Sequence, residues 1–257
     1  MVINEVFPNP TVKHVIFQIR YPNLFIIENK IGDFQIKIMD RFPNSALKIK
    51  QKGFILDAGA EIIYKEKPEN QKELGGEKAW SFSSPDEKVV LNVSSNSLDI
   101  SSNFHKTYNN AKKSKDNFRD TIEFVLDQFF QLTKIPIIKR IGLRYVDECP
   151  IFKRVNSNFK SYYNTTFDLK RFPIKDSEEM IFKVVFKKGN YFLIFHEVVK
   201  KDKLFLDFDA FANGINSSDY LKVNDDLHLI ISEEFEKSIK EPVYDYMRKK
   251  KEVENDS

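Results

Sequence analysis

Three apolar runs in the second half of the chain, residues 180–187, 191–199 and 203–211, are parted only by Lys188-Gly189-Asn190 and Lys200-Lys201-Asp202. Gaps that short join neighbouring strands running in opposite directions, because a parallel crossover needs a dozen or more residues. The same pattern appears upstream. Runs at 80–82, 89–93 and 98–100 are separated by Ser84-Pro85-Asp86 and Ser95-Asn96, residue types that turn the backbone. Residues 12–20, 47–49 and 54–64 read as further strands, and the charged, Pro- and Gly-containing stretch 65–76 as a mobile loop.

Helical spacing interrupts these strands in three places. Leu24, Ile27, Ile31, Phe34 and Ile38 form one stripe, with Asn23 placed to cap it. Phe118, Ile122, Val125, Phe129 and Leu132 form the clearest one. Phe124, Leu126 and Phe130 widen it, and Ser114 or Asp116 stands before it as a cap. Leu227, Ile231, Phe235 and Ile239 form the third, starting near Asn224 or Asp225. Pro242 then predicts a kink or a second helix carrying Val243, Tyr246 and Met247. Residues 152–176 show no period and read as a long excursion. The expected class is α+β: a large, mostly antiparallel sheet or sheets packed by three main helices. Residues 1–248 read as one domain, with 1–110 and 111–248 as loosely similar halves, and 249–257 as a charged tail.

Composition narrows the function classes. A net charge of +3 is too small to argue for nucleic acid on global charge. The single cysteine, Cys149, forbids an internal disulfide and a Cys-based zinc cluster, and fits a reducing cytoplasm. The start lacks a signal-peptide pattern, and no apolar run approaches the ~18 residues of a membrane span. Most of the 24 Phe residues are expected in the core.

The candidate site residues lie on strands. In the run 135–147, Ile141, Leu143 and Tyr145 fall on one face, and Arg140, Gly142 and Arg144 on the other. Two fixed guanidinium groups can hold an anion, a phosphate backbone or a partner's carboxylate. Asp207 and Asp209 share a strand face and can hold a cation or share a proton; they can equally face solvent or pair with basic neighbours. Pairing with Arg140 and Arg144 would make all four structural. His196 can act as a general acid or base, or simply as a satisfied, half-buried histidine. His14 has the same standing, His228 reads as a packing residue with a polar tip, and His105 as exposed. Four scattered histidines make no metal motif, and neither HExxH, CxxC, GxGxxG nor GxxxxGK[ST] occurs. No cofactor is implied. Basic clusters at 112–115, 187–188, 200–201 and 248–251, with Phe104, Tyr108, Tyr162 and Tyr163 nearby, fit a nucleic-acid groove or a solvated surface.

Val15 to Pro22, Ile31 to Gln35, Arg140 to Asp147, Leu227-His228 and Phe235-Glu236, in that order, resemble a sporadically distributed family of uncharacterised bacterial and archaeal proteins. The resemblance spans nearly the whole chain and implies one continuous domain, but no activity or catalytic residue. Its patchy distribution is that of genes that move between genomes, such as phage-defence or toxin–antitoxin loci. The leading expectation is a non-enzymatic protein-interaction module, an accessory or neutralising subunit whose partner is encoded nearby, with Arg140 and Arg144 foremost in recognition. The alternatives are RNA or DNA binding with metal-assisted cleavage through Asp207 and Asp209, and a pocket for a small anionic ligand.

Overall fold

β1 (Val12–Arg20) leads into α1 (Ile27–Ile38), after which β2 (Asn44–Lys50), β3 (Glu77–Ser83), β4 (Val89–Ser94) and β5 (Ser97–Ser102) meander back until β5 pairs with β1. α2 (Phe118–Thr133) follows. The second half repeats the plan. β6 (Ile137–Pro150) and α3 (Asn156–Tyr162) precede β7 (Glu179–Lys188), β8 (Tyr191–Lys200) and β9 (Lys203–Asn216), and β9 returns to β6. α4 (Tyr220–Ser238) and α5 (Glu241–Arg248) close the chain. The computed structural model describes residues 6–50, 77–109 and 116–249. β1 and β6 pair antiparallel and weld the halves into one nine-stranded sheet of order β2-β3-β4-β5-β1-β6-β9-β8-β7.

The alternation of the strands sends one parity under the helices. Phe17, Ile19, Leu143, Ile141, Phe208 and Leu193 are fully or almost fully buried there. Phe34 of α1 meets Phe82 and Phe129 edge-on, and Phe235 of α4 meets Phe208. Among the described residues the opposite face carries no helix.

Several local expectations change. α1 begins at Ile27, not at an Asn23 cap, because the chain first crosses β5's turn, where the Leu24 N–H donates to Ser95 O. Asn117 occupies the α2 cap without a side-chain cap bond; Ser114, residues 54–76 and most of the basic clusters 112–115 and 248–251 lie outside the described residues. α4 starts at Tyr220, a turn early, since Tyr220 and Val223 extend its buried stripe. Pro242 opens a separate α5, where a missing N–H costs nothing. Residues 152–176 are organised without periodicity. Phe159 is buried, Asn156 bonds the Leu169 carbonyl and the Ile174 N–H, and Arg154 donates to the carbonyls of Ile174 and Ser177. His105 is buried, not exposed, because it turns inward between the hydroxyls of Ser102 and Thr121.

Candidate functional site

Arg140, Arg144, Asp207, Asp209 and His196 do converge, on the helix-free face of the sheet. β6 and β9 place Arg144 opposite Asp209, and Arg140 opposite Asn213. Each guanidinium then reaches diagonally. Arg144 donates Nε and Nη2 to the two oxygens of Asp207 at 2.7 and 2.6 Å, a bidentate pair. Arg140 Nη2 donates to both oxygens of Asp209 at 3.1 Å, and its guanidinium lies 4.5 Å over the Phe211 ring. From β8, directly opposite Asp207, His196 Nδ1 stands 3.1 Å from Asp207 Oδ2. Gln18 Oε1 on β1 accepts from Arg20 and Arg140.

Gly142 makes this diagonal reach feasible. A Cβ there would sit 2.6 Å from Arg140 Nη1, so the Arg-x-Gly-x-Arg spacing leaves a trough for the first guanidinium. Gly142→Ala is accordingly expected to cost about 1 kcal/mol, the size of a partly exposed pair with a cation–π contact. In an Arg140→Ala chain the same change should be neutral or favourable, since alanine otherwise suits a strand better than glycine. Urea denaturation of the four chains of this double-mutant cycle measures the coupling.

The electrostatics agree with a self-contained ladder. Burial works against the Asp207 carboxylate, yet hydrogen bonds from His196 and Arg144 hold its pKa below the ordinary value. Burial likewise opposes the Arg144 charge, and Asp207 more than offsets it. At Asp209 burial prevails over the two arginines and the pKa rises. The guanidiniums expected to meet a ligand therefore already hold partners of their own chain, the structural pairing that the sequence allowed. With both carboxylates occupied, Asp207 and Asp209 lack the third donor a metal site needs. Among the described residues no group of three or more His, Cys, Asp or Glu side chains could hold an ion. An open cleft of about 580 Å³ lies at the strand ends, lined by Arg154, Lys175, Glu179 and Lys200 among others, and neither Arg140 nor Arg144 lines it. Of the aromatics near the basic clusters, Tyr108 and Tyr163 are core residues and offer no stacking surface.

Beneath the sheet lies a second polar group. Arg119 on α2 grips Asp225 on α4 through both oxygens at 2.7 and 2.9 Å. Tyr108 donates to Asp225 at 2.6 Å and accepts from Asn224. His228 stacks on Tyr108 at 3.9 Å between centroids, and burial lowers its pKa to about 4, so it is neutral at physiological pH. Asp147, under the same face, bonds Thr11 at 2.8 Å, and burial raises its pKa to about 7. Cys149 is buried and its thiol pushed well up, which makes it inert.

The sequence reading passed over the part of this face that is left uncovered. Beside the ladder, Phe192 and Phe211 stack at 5.2 Å. Beyond them, on β7, Ile181 and Val185 are 54% and 55% exposed, with Lys183 and Lys187 exposed between and after them. The signal was present: in 180–187 one parity is Met, Phe, Val, Phe and the other Ile, Lys, Val, Lys. That two-sided pattern marks an outer strand whose second face stays near solvent. No described helix is long and apolar enough to cross a membrane. No protein-family model matches the chain, and no curated protein matches it.

Proposed function

We propose that this chain is a non-enzymatic protein-interaction module whose partner covers the helix-free sheet face over β7, β8 and β9. One observation carries the reading: Ile181 and Val185 stand more than half exposed on the helix-free face, with Val185 diagonal to Phe192 of the Phe192–Phe211 stack. Exposed aliphatic side chains interleaved with lysines are the chemistry of a binding surface. The Arg140–Asp209 and Arg144–Asp207–His196 ladder gives this surface a rigid floor, and the arginines serve the partner through that rigidity. The setting we propose is cytoplasmic, as an accessory or neutralising subunit of a mobile defence or toxin–antitoxin system; the patchily distributed family that the chain resembles supports it.

Co-purification of the tagged full chain with the products of adjacent genes tests this. One product should bind at micromolar concentration. Ile181→Asp/Val185→Asp should weaken that binding about 100-fold, because covering the exposed half of two aliphatic side chains contributes roughly 1–1.5 kcal/mol each. The melting temperature should barely move, since both positions are exposed. No binding product, or a double variant that binds as well as the parent, refutes the reading.

A further inference from the structure

β7 ends the sheet, and among the described residues it pairs only with β8. Its free side has a definable pattern. Gly189, at φ +59°, and Asn190 make a two-residue turn between Lys188 and Tyr191, which face each other across the hairpin. Residues flanking such a turn form a hydrogen-bonded pair, and the pairing alternates from there. Lys188, Phe186, Val184, Phe182 and Met180 therefore spend their backbone groups on β8. Lys187, Val185, Lys183 and Ile181 aim their N–H and C=O groups outward, away from the sheet. These same residues put their side chains on the helix-free face, with Ile181 and Val185 alternating with two exposed lysines. Lys188 is tied to Glu233 and Glu234. Lys183 and Lys187 form no ion pair among the described residues.

Edge lysines discourage pairing with a second copy, because like charges would be brought together on neighbouring strands. The same lysines favour a strand of opposite charge. Resting on the interaction reading above, we infer that β7 accepts an extended segment of the partner as a tenth strand, and that this segment, counted at every second residue, alternates acidic with apolar side chains along the helix-free face. Main-chain hydrogen bonds to Ile181, Lys183, Val185 and Lys187 supply the attachment. Carboxylates beside Lys183 and Lys187, and aliphatic side chains beside Ile181 and Val185, supply the selectivity.

The test uses the full chain and two synthetic peptides of equal length, one repeating Val-Thr-Glu-Thr so that Val and Glu alternate along one face, the other repeating Val-Thr-Lys-Thr, each carrying a fluorophore for anisotropy. The acidic peptide should bind at least tenfold more tightly, and added salt should weaken it. Val185→Pro should reduce that binding at least tenfold. It removes an outward N–H at an edge position where the fold tolerates proline. Should Val185→Pro lower stability, Lys183→Glu/Lys187→Glu gives the second readout: these exposed changes leave the core untouched and should reverse the preference to the basic peptide. Equal binding of both peptides by the parent chain, or an unchanged preference in the charge-reversed chain, overturns the inference. Such a failure is separate from failure of the interaction reading, which Ile181→Asp/Val185→Asp judges with the partner itself.

Discussion

Asp207→Ala is expected to destabilise the protein by about 3–5 kcal/mol, because it strands a half-buried guanidinium without its counter-charge. Arg144 spends two N–H groups on this carboxylate, and His196 shares it from the neighbouring strand. With side-chain exposures of 18% and 7%, neither Arg144 nor Asp207 can turn to water for compensation without breaking the sheet face. Replacing both ends together, Arg144→Met/Asp207→Leu, should recover most of the loss, since a fitted apolar pair carries no desolvation cost. Asp209→Ala should cost less, about 1 kcal/mol, because that pair is more exposed and Arg140 retains its Phe211 contact. Denaturant titration of these variants separates the outcomes. A loss under 1 kcal/mol for Asp207→Ala would mean that the ladder does not anchor the face.

Asp147 gives the second large effect, through pH. Burial raises its pKa to about 7 against the Thr11 hydrogen bond and the nearby Lys106 charge, with Asp207 adding to the rise. In the unfolded chain the carboxyl titrates near its usual value of about 4. Between those two values the folded protein keeps a proton that the unfolded chain has released. Stability therefore falls as pH rises through this window, and the penalty is complete above pH 7. Three units correspond to about 4 kcal/mol. Asp147→Asn preserves an acceptor for Thr11 and removes the ionisation. Relative to the parent, the variant should gain about 4 kcal/mol from pH 4 to pH 8, read from denaturation midpoints across that range. Parallel pH profiles for the two chains would show that Asp147 ionises freely in the fold.

The antiparallel architecture was legible because turn lengths alone dictate strand direction, and because Phe118 to Leu132 and Leu227 to Ile239 keep strict helical spacing. The ladder was legible only in part. Alternation put Arg140 and Arg144 on one face and Asp207 and Asp209 on another, and pairing between them was one of the open options. Which arginine meets which aspartate depends on the β6–β9 register, which two strands far apart in sequence acquire only on folding. Gly142 likewise looked like an ordinary strand glycine until the diagonal path of Arg140 crossed it. His105 and Tyr108 sit among polar residues, so nothing local announced their burial; Ser102, Thr121 and Asp225 draw them inward. Residues 152–176 owe their order to Asn156 and Arg154 bonding backbone groups, which periodicity cannot register.

Amide hydrogen exchange resolved along β7, on the free chain and on its complex with the captured partner, bears most directly on the central claim that this uncovered face and edge await a partner. In the free chain the amides of Ile181, Lys183, Val185 and Lys187 should exchange orders of magnitude faster than those of Phe182, Val184 and Phe186, and in the complex they should slow while the helix-bearing side stays unchanged. Protection of the odd-numbered amides in the free chain, or a complex that shields the helices and leaves β7 as it was, would contradict the account.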